Sequence, residues 1–381
     1  MTICVETERQ EFFKKLDNSY WNPKLKIKVL PSGDRTVIAT DQIKDKEPLV
    51  VFNKDTAFGP EQATAHSKEN LNTLNSNLII SAYLYQYYTK HTESFPFGYD
   101  HYFNSLPTYE WYKNNHEFIK FYLSLDKNQK DKLKENSYLL TNLETLIEWV
   151  KQIPKHKPNI EEAIRSYLIT RTRSWSSFGL VPWIDFFNHS DQGSFLNGEG
   201  TSIHATHAYE KGDEVNTSYG LKDTFHLLTT YGYVAKETTV PLLCPPVSKF
   251  AVAFDPNLNN GVTLSEDYPF LIKKNVNNFN QIISYFRLCA FNKHDLFFVN
   301  DIATESKRFI NGENEHKAVK IGLFCLEKSK KSLENVKNNF DAISKELPES
   351  FVKEFEGKME ILKELSLKFH THWLNLLDKT N

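Results

Sequence analysis

The sequence predicts an α+β fold in which short strands flank a helical insertion and an all-α region closes the chain. Three observations carry this reading. β-rich runs punctuated by turn residues lie between Lys26 and Phe52, the hydrophobic period turns helical from about Leu71, and short β-rich runs return after Arg173 before a Lys/Glu-rich helical third. This order lacks the regular alternation of a doubly wound sheet.

The first runs, KIKVL, TVIAT and PLVVF, are separated by Pro31-Ser32-Gly33-Asp34 and by Asp45-Lys46, which predicts a strand-turn-strand unit. Leu71, Leu74, Leu78 and Ala82 then recur at helical spacing, as do Leu139, Leu143, Leu146 and Trp149. Asn159 followed by Glu162 has the pattern of a capping box, opening a helix that holds Ile164, Tyr167 and Leu168 and runs towards Arg171 and Arg173. GLVPWIDFF, SIHATHAY and EVNTSY read as strands, bounded by Asn197-Gly198-Glu199-Gly200 and Lys211-Gly212-Asp213. In the last helix Phe351, Phe355, Met359, Leu362, Phe369, Trp373 and Leu376 trace one apolar stripe, and Pro348 suits its first turn.

Composition narrows the function. With 381 residues and 40% hydrophobic content the chain can bury a large core, and a formal charge of -2 gives no whole-chain basis for binding nucleic acid. Cys4, Cys244, Cys289 and Cys325 form no C-x-x-C pair, which fits a reducing compartment. The first residues do not follow the order of a signal peptide, and no apolar run reaches the roughly 18 residues of a membrane span. The fourteen glycines supply neither a dinucleotide fingerprint nor a P-loop. His204 and His207 would face opposite sides of a strand, so no metal site is expected.

The informative stretch runs from Arg171 to Tyr233. Asn188-His189-Ser190, an acidic-Gly turn and Ser218-Tyr219-Gly220 follow one another, preceded by Leu180-Val181-Pro182-Trp183-Ile184-Asp185 and followed by Tyr231-Gly232-Tyr233. This series resembles the signature of SET-domain protein-lysine methyltransferases, in the branch typified by Rubisco large-subunit methyltransferase, whose fungal members modify ribosomal proteins. GDRTVIATDQIKDKEPLVVF stands where the family has its first cofactor loop, and Tyr285-Phe286-Arg287-Leu288 resembles a helix of its C-terminal region. The resemblance implies SET segments at 1–57 and 166–245, a helical insertion at 58–165 and a substrate-binding helical domain at 246–381. It also implies that the Asn188 segment and the Tyr219 strand thread past each other.

Carried over residue by residue, the resemblance implies S-adenosyl-L-methionine as cofactor, approached by Gly33, Asp34 and Arg35 and, from the other side, by Asn188 and His189. Tyr219 would be the catalytic tyrosine and touch the cofactor as well. Arg173 and Asp185 would lie beside the cleft, and Tyr231 and Tyr233 would line the lysine channel. Each residue also has a plainer reading: Asn188 as the holder of a turn, Arg173 and Asp185 as a structural ion pair, Tyr219 and Tyr231 as core aromatics. Two departures stand out: Asp34-Arg35-Thr36 replaces a Gly-rich loop, and Tyr233 replaces a common Phe.

The implied activity is methylation of lysine in a protein substrate, with a large-subunit ribosomal protein as the leading class. The enzyme would be a monomer in the cytoplasm, the nucleus or both, with no direct contact to nucleic acid or membrane. A histone methyltransferase and a catalytically silent SET-fold binding module are the alternatives.

Overall fold

Asparagine, threonine and aspartate set several of the helix starts. In the computed structural model Asn75, Thr108, Asn159, Asp223 and Asn311 each accept a backbone N–H three residues ahead, satisfying a donor that the first helical turn leaves open. The structure describes residues 9–10, 12–13, 19–31, 33–53, 57–90, 99–135, 138–154, 157–175, 179–194, 201–220, 222–235, 238–242, 270–273, 279–291, 307, 309–344 and 347–380. Cys4, Cys244, Ser32, the turn at 197–200 and the expected boundary at 245–246 lie outside the described residues.

The N-terminal strands are β1 Tyr20–Trp21, β2 Leu25–Val29, β3 Arg35–Ala39 and β4 Pro48–Val51. β2 and β3 form an antiparallel hairpin whose turn carries Gly33 at φ 81°. The insertion holds α1 Pro60–His66, α2 Ser76–Tyr88, α3 Tyr99–Ser105, α4 Tyr109–Asn115, α5 Glu117–Ser124, α6 Lys127–Glu135 and α7 Tyr138–Gln152, and α8 Ile160–Arg173 follows. Next come β5 Ser174–Trp175, β6 Gly179–Leu180, a 3-10 turn Ile184–Phe186, β7 His189–Ser194 and β8 Ser202–His204. β4 sits between β1 and β8 in a three-stranded antiparallel sheet.

A short helical turn α9 Thr224–His226 runs into a π-helical turn Leu227–Tyr231. β9 Thr239–Leu242, β10 Phe270–Lys273, α10 Phe279–Ala290, α11 Gly312–Ile343 and α12 Glu349–Thr380 complete the described elements. Among the described residues no helix is long and apolar enough to cross a membrane.

Several expectations change. GLVPWIDFF is a strand only at Gly179–Leu180: Pro182 has no N–H for a ladder, Trp183 turns at φ 71°, and Ile184–Phe186 coil into the 3-10 turn. SIHATHAY is extended only at Ser202–His204, and EVNTSY makes isolated bridges from Glu214 and Thr217. Leu71 and Leu74 are buried but precede α2, because Asn75 caps that helix. The Asn159 cap forms, while the Glu162 carboxylate turns to Arg165 at 3.2 Å. Pro348 stands just before α12 and accepts from Phe351 and Val352. Among the described residues the C-terminal region is helical with one addition, the antiparallel pair of β9 and β10.

The chain divides into two compact units. The first comprises residues 1–124, 134–221 and 230–232, the second 125–133, 222–229 and 233–381. In the first, Val37, Val50, Ile203 and Val215 are fully buried, and Phe58, Tyr83, Tyr99 and Phe103 pack ring against ring. In the second, Ile282, Phe286, Ala318, Leu365 and Phe369 anchor a core shared by α10, α11 and α12. There Arg287 grips Glu315 through two bonds of 2.7 and 2.8 Å, and His372 reaches the same carboxylate at 2.6 Å. On α12, Phe351, Phe355, Leu362 and Phe369 of the expected stripe are buried, Met359 and Trp373 are partly so, and the Leu376 side chain lies outside the described residues.

Candidate active site

The centre of the first unit is a crossing of two segments far apart in sequence. The Thr217 N–H donates to the Asn188 carbonyl at 2.9 Å, the Ser194 N–H to the Asn216 carbonyl at 3.0 Å, and the Ser218 N–H to the Ser194 carbonyl at 2.8 Å. Asn216–Ser218 therefore lies between the two ends of the excursion that begins at Asn188 and returns at Ser194. The approach is so close at Gly193 that a Cβ there would sit 2.5 Å from the Thr217 carbonyl carbon. Only glycine lets the segments meet.

This crossing fixes Tyr219. Its backbone N–H donates to His189 Nδ1 at 3.2 Å, its ring stacks on the His189 ring with centroids 5.1 Å apart, and its hydroxyl donates to the Phe187 carbonyl at 2.9 Å. Accepting at Nδ1 leaves the His189 ring proton on Nε2. On the other side, the Tyr231 ring lies 5.0 Å from that of Tyr219. Burial raises the Tyr219 pKa above its ordinary value, opposed by Arg173 and reinforced by Tyr231, Asp185 and Asp34. Burial also raises Tyr231, with Arg171 opposing. Both phenols stay protonated at neutral pH.

The hairpin turn joins the same neighbourhood. Asn188 Nδ2 donates to the Arg35 carbonyl at 3.3 Å and to Glu214 Oε1 at 2.8 Å, and the Thr36 hydroxyl donates to that carboxylate oxygen at 2.5 Å. Asn188 thus clips β3 to the end of β7; it does not close a turn of its own. Gly33 faces Trp111 Cδ1, 3.6 Å from where its Cβ would be.

Arg173, at the end of α8, donates to the Asp185 carboxylate at 2.9 Å and to its carbonyl at 3.1 Å. Asp185 is presented by the 3-10 turn after Trp183, whose left-handed backbone is unusual for so bulky a residue. Burial is the largest influence and works against the Arg173 cation, but the charge and hydrogen bond of Asp185 together with Tyr112 and Tyr102 outweigh it and keep the guanidinium protonated. Burial pushes the Asp185 carboxyl up, with Arg173 opposing. Burial and then repulsion from Arg173 lower Arg35 to about 10, against the pull of Asp185 and Asp34. Both guanidiniums lie over the Phe186 ring, at 5.3 Å for Arg35 and 5.7 Å for Arg173.

Gly33, Asp34, Arg35, Arg173, Asp185, Asn188, His189, Tyr219 and Tyr231 are thus linked within the first unit. Tyr233 is half-exposed and donates its backbone N–H to the Leu227 carbonyl at 3.3 Å. Sequence reasoning missed Glu214, Phe186 and Phe187, which supply an acceptor, a ring face and a carbonyl. Glu214 closes the acidic-Gly turn that was noted, so its charge was a usable signal. Trp111 comes from the insertion, where nothing in the local pattern marks it.

No family model and no curated protein matches the sequence. Among solved structures the chain is similar to Rubisco LSMT bound to sinefungin and monomethyllysine, at 16% identity and a TM-score of 0.49, covering 98% of this chain and 93% of that one. It is also similar to the SET domain of LSMT bound to lysine and AdoHcy, at 16% identity and a TM-score of 0.48, covering 98% and 92%. A third is Rubisco LSMT bound to AdoMet, at 16% identity and a TM-score of 0.48, covering 99% and 93%.

Proposed function

We propose that the protein is a SET-type protein-lysine methyltransferase that uses S-adenosyl-L-methionine. The observation that carries the reading is the crossing at which Asn188, His189 and Tyr219 come together with Tyr231, residues that the sequence holds up to 43 positions apart.

The residues fit such a cofactor. Arg35 and Arg173 are two largely buried cations sharing the buried carboxylate of Asp185, and Arg35 Nε, Arg173 Nε and Trp111 Nε1 are buried donor atoms with no acceptor among the described residues. A site with surplus cation and idle donors suits the carboxylate of an amino-acid ligand. Asn188 and His189 would hold that ligand from the other side. When bound, S-adenosyl-L-methionine supplies an electrophilic methyl group on a sulfonium.

The chain's own task is then alignment and exclusion of water. A lysine of pKa about 10.4 costs roughly 4 to 5 kcal/mol to deprotonate at pH 7, and the Tyr219 and Tyr231 rings favour the neutral amine by desolvating it. The Tyr219 hydroxyl, held by the Phe187 carbonyl, keeps an oxygen lone pair for weak hydrogen bonds from a polarised methyl. As its proton stays on, Tyr219 orients the reactants and does not act as a base.

The proposed substrate is a ribosomal protein of the large subunit, supported by the sequence resemblance to the fungal branch; cytoplasm or nucleus follows from that substrate. Incubating the purified protein and tritiated cofactor with ribosomal subunits or with nucleosomes tests this. Label on a large-subunit protein is expected. Label on histones alone would reassign the substrate, and no label in either would favour a silent binding module.

A further inference from the structure

His116 lies in the helical insertion, 115 residues before Tyr231 in the chain, and is 1% exposed. It stands between α4 and α5. Its backbone N–H closes α4 on the Tyr112 carbonyl at 2.9 Å, and its Nδ1 accepts from the Ile119 N–H at 3.4 Å, capping the first turn of α5. An accepting Nδ1 puts the proton on Nε2, which donates to the Thr230 carbonyl at 3.1 Å.

The contact continues over the next two residues. The Glu117 N–H reaches the Gly232 carbonyl at 3.5 Å. Gly232 has φ 70°, and a Cβ there would lie 2.4 Å from His116 Cγ, so the backbone rests directly on the imidazole. Thr230 and Gly232 are therefore both held by one corner of the insertion, and the residue between them is Tyr231. Its ring in turn stands 5.0 Å from Tyr219.

We infer that His116 is a positioning residue: its neutral imidazole holds the Thr230–Gly232 backbone so that Tyr231 stays against Tyr219. The inference rests on the proposed methyltransferase reading and adds a group from outside the SET segments to it. Burial suits the role, because it lowers the His116 pKa to about 4 and keeps the ring an Nε2–H donor across the working range. A charged ring would carry a proton on Nδ1 as well and face the Ile119 N–H with another donor.

Two isosteric substitutions separate positioning from helix capping. In His116→Asn the side-chain oxygen takes the place of Nδ1 and keeps the α5 cap, but nothing reaches Thr230. In His116→Gln the amide nitrogen takes the place of Nε2 and keeps the Thr230 bond. Expected are a roughly 10- to 100-fold fall in kcat for His116→Asn with cofactor KM changed less than about threefold, and recovery to within about threefold of wild type in His116→Gln. Equal kinetics in the two variants, or a fall that only tracks thermal stability, would overturn the inference. A fluorotyrosine placed at position 231 gives a second readout that needs no activity. One sharp fluorine resonance is expected in the wild type and in His116→Gln, with broadening or splitting in His116→Asn. If the wild type transfers no methyl group, the proposed activity fails on its own, while the fluorine spectra still decide whether His116 fixes Tyr231; unchanged spectra in all three proteins would refute it.

Discussion

The Tyr219 N–H donates to His189 Nδ1 at 3.2 Å while the two rings stack 5.1 Å apart, so one imidazole fixes both the backbone and the ring of the central tyrosine. Removing it in His189→Ala leaves a donor unpaired, a loss of about 1 to 3 kcal/mol. Chemical denaturation should register that loss, and His189→Asn, whose oxygen can accept in place of Nδ1, should recover part of it. Equal destabilisation by both substitutions would show that the hydrogen bond is not what holds Tyr219.

Among the described residues Asp185 is the fully buried carboxylate beside Arg35 and Arg173. Asp185→Asn should destabilise the protein by about 3 to 5 kcal/mol, since it strands a buried cation. The double substitution Arg173→Met, Asp185→Leu should be milder than Asp185→Asn alone. If denaturant midpoints show the double variant to be the worse, the pair contributes net attraction beyond mutual neutralisation.

At Gly193 the crossing leaves no space for a methyl group, because the clash is with the Thr217 backbone and not with a flexible side chain. Gly193→Ala should lower the melting temperature and cost at least about 1 to 3 kcal/mol. A melting temperature within a degree of wild type would mean that the two segments can separate at no cost.

His116 gives a pH signature with a definite sign. Its folded pKa, about 4, lies below the ordinary 6.5, so the unfolded chain binds the extra proton first as the medium acidifies. The stability tied to the neutral ring is complete above pH 6.5 and is lost as pH falls towards 4, by up to about 1.4 kcal/mol per unit. His116→Gln cannot titrate, so the stability difference between wild type and this variant should shrink across that window. A constant difference between pH 7 and 4 would contradict the assignment.

Local chemistry made much of the fold legible. The three N-terminal runs became strands, and the Asn159 cap opens its helix where expected, because turn residues and capping side chains act within a few positions. GLVPWIDFF misled: its composition is β-like, but Pro182 and the left-handed Trp183 end the ladder, and the resulting turn is what presents Asp185. EVNTSY misled for a different reason, since it is held by single bridges, one to β3 and two at the crossing, in place of a regular partner strand. The site residues were legible only through an ordered motif, for nothing in the spacing of Asn188, Tyr219 and Tyr231 shows that their rings and backbones meet. His116 and Trp111 left no signal at all, because their importance lies in what the insertion packs against.

The most direct test of the central claim is methyl transfer by Tyr219→Phe under single-turnover conditions, with cofactor affinity measured by titration on the same preparation. Loss of the hydroxyl held at 2.9 Å from the Phe187 carbonyl should reduce the rate of transfer to lysine by roughly 100-fold, the scale of one preorganised polar group, and leave affinity within a small factor of wild type. Equal loss of rate and affinity, or full activity in the variant, would contradict the role given to Tyr219.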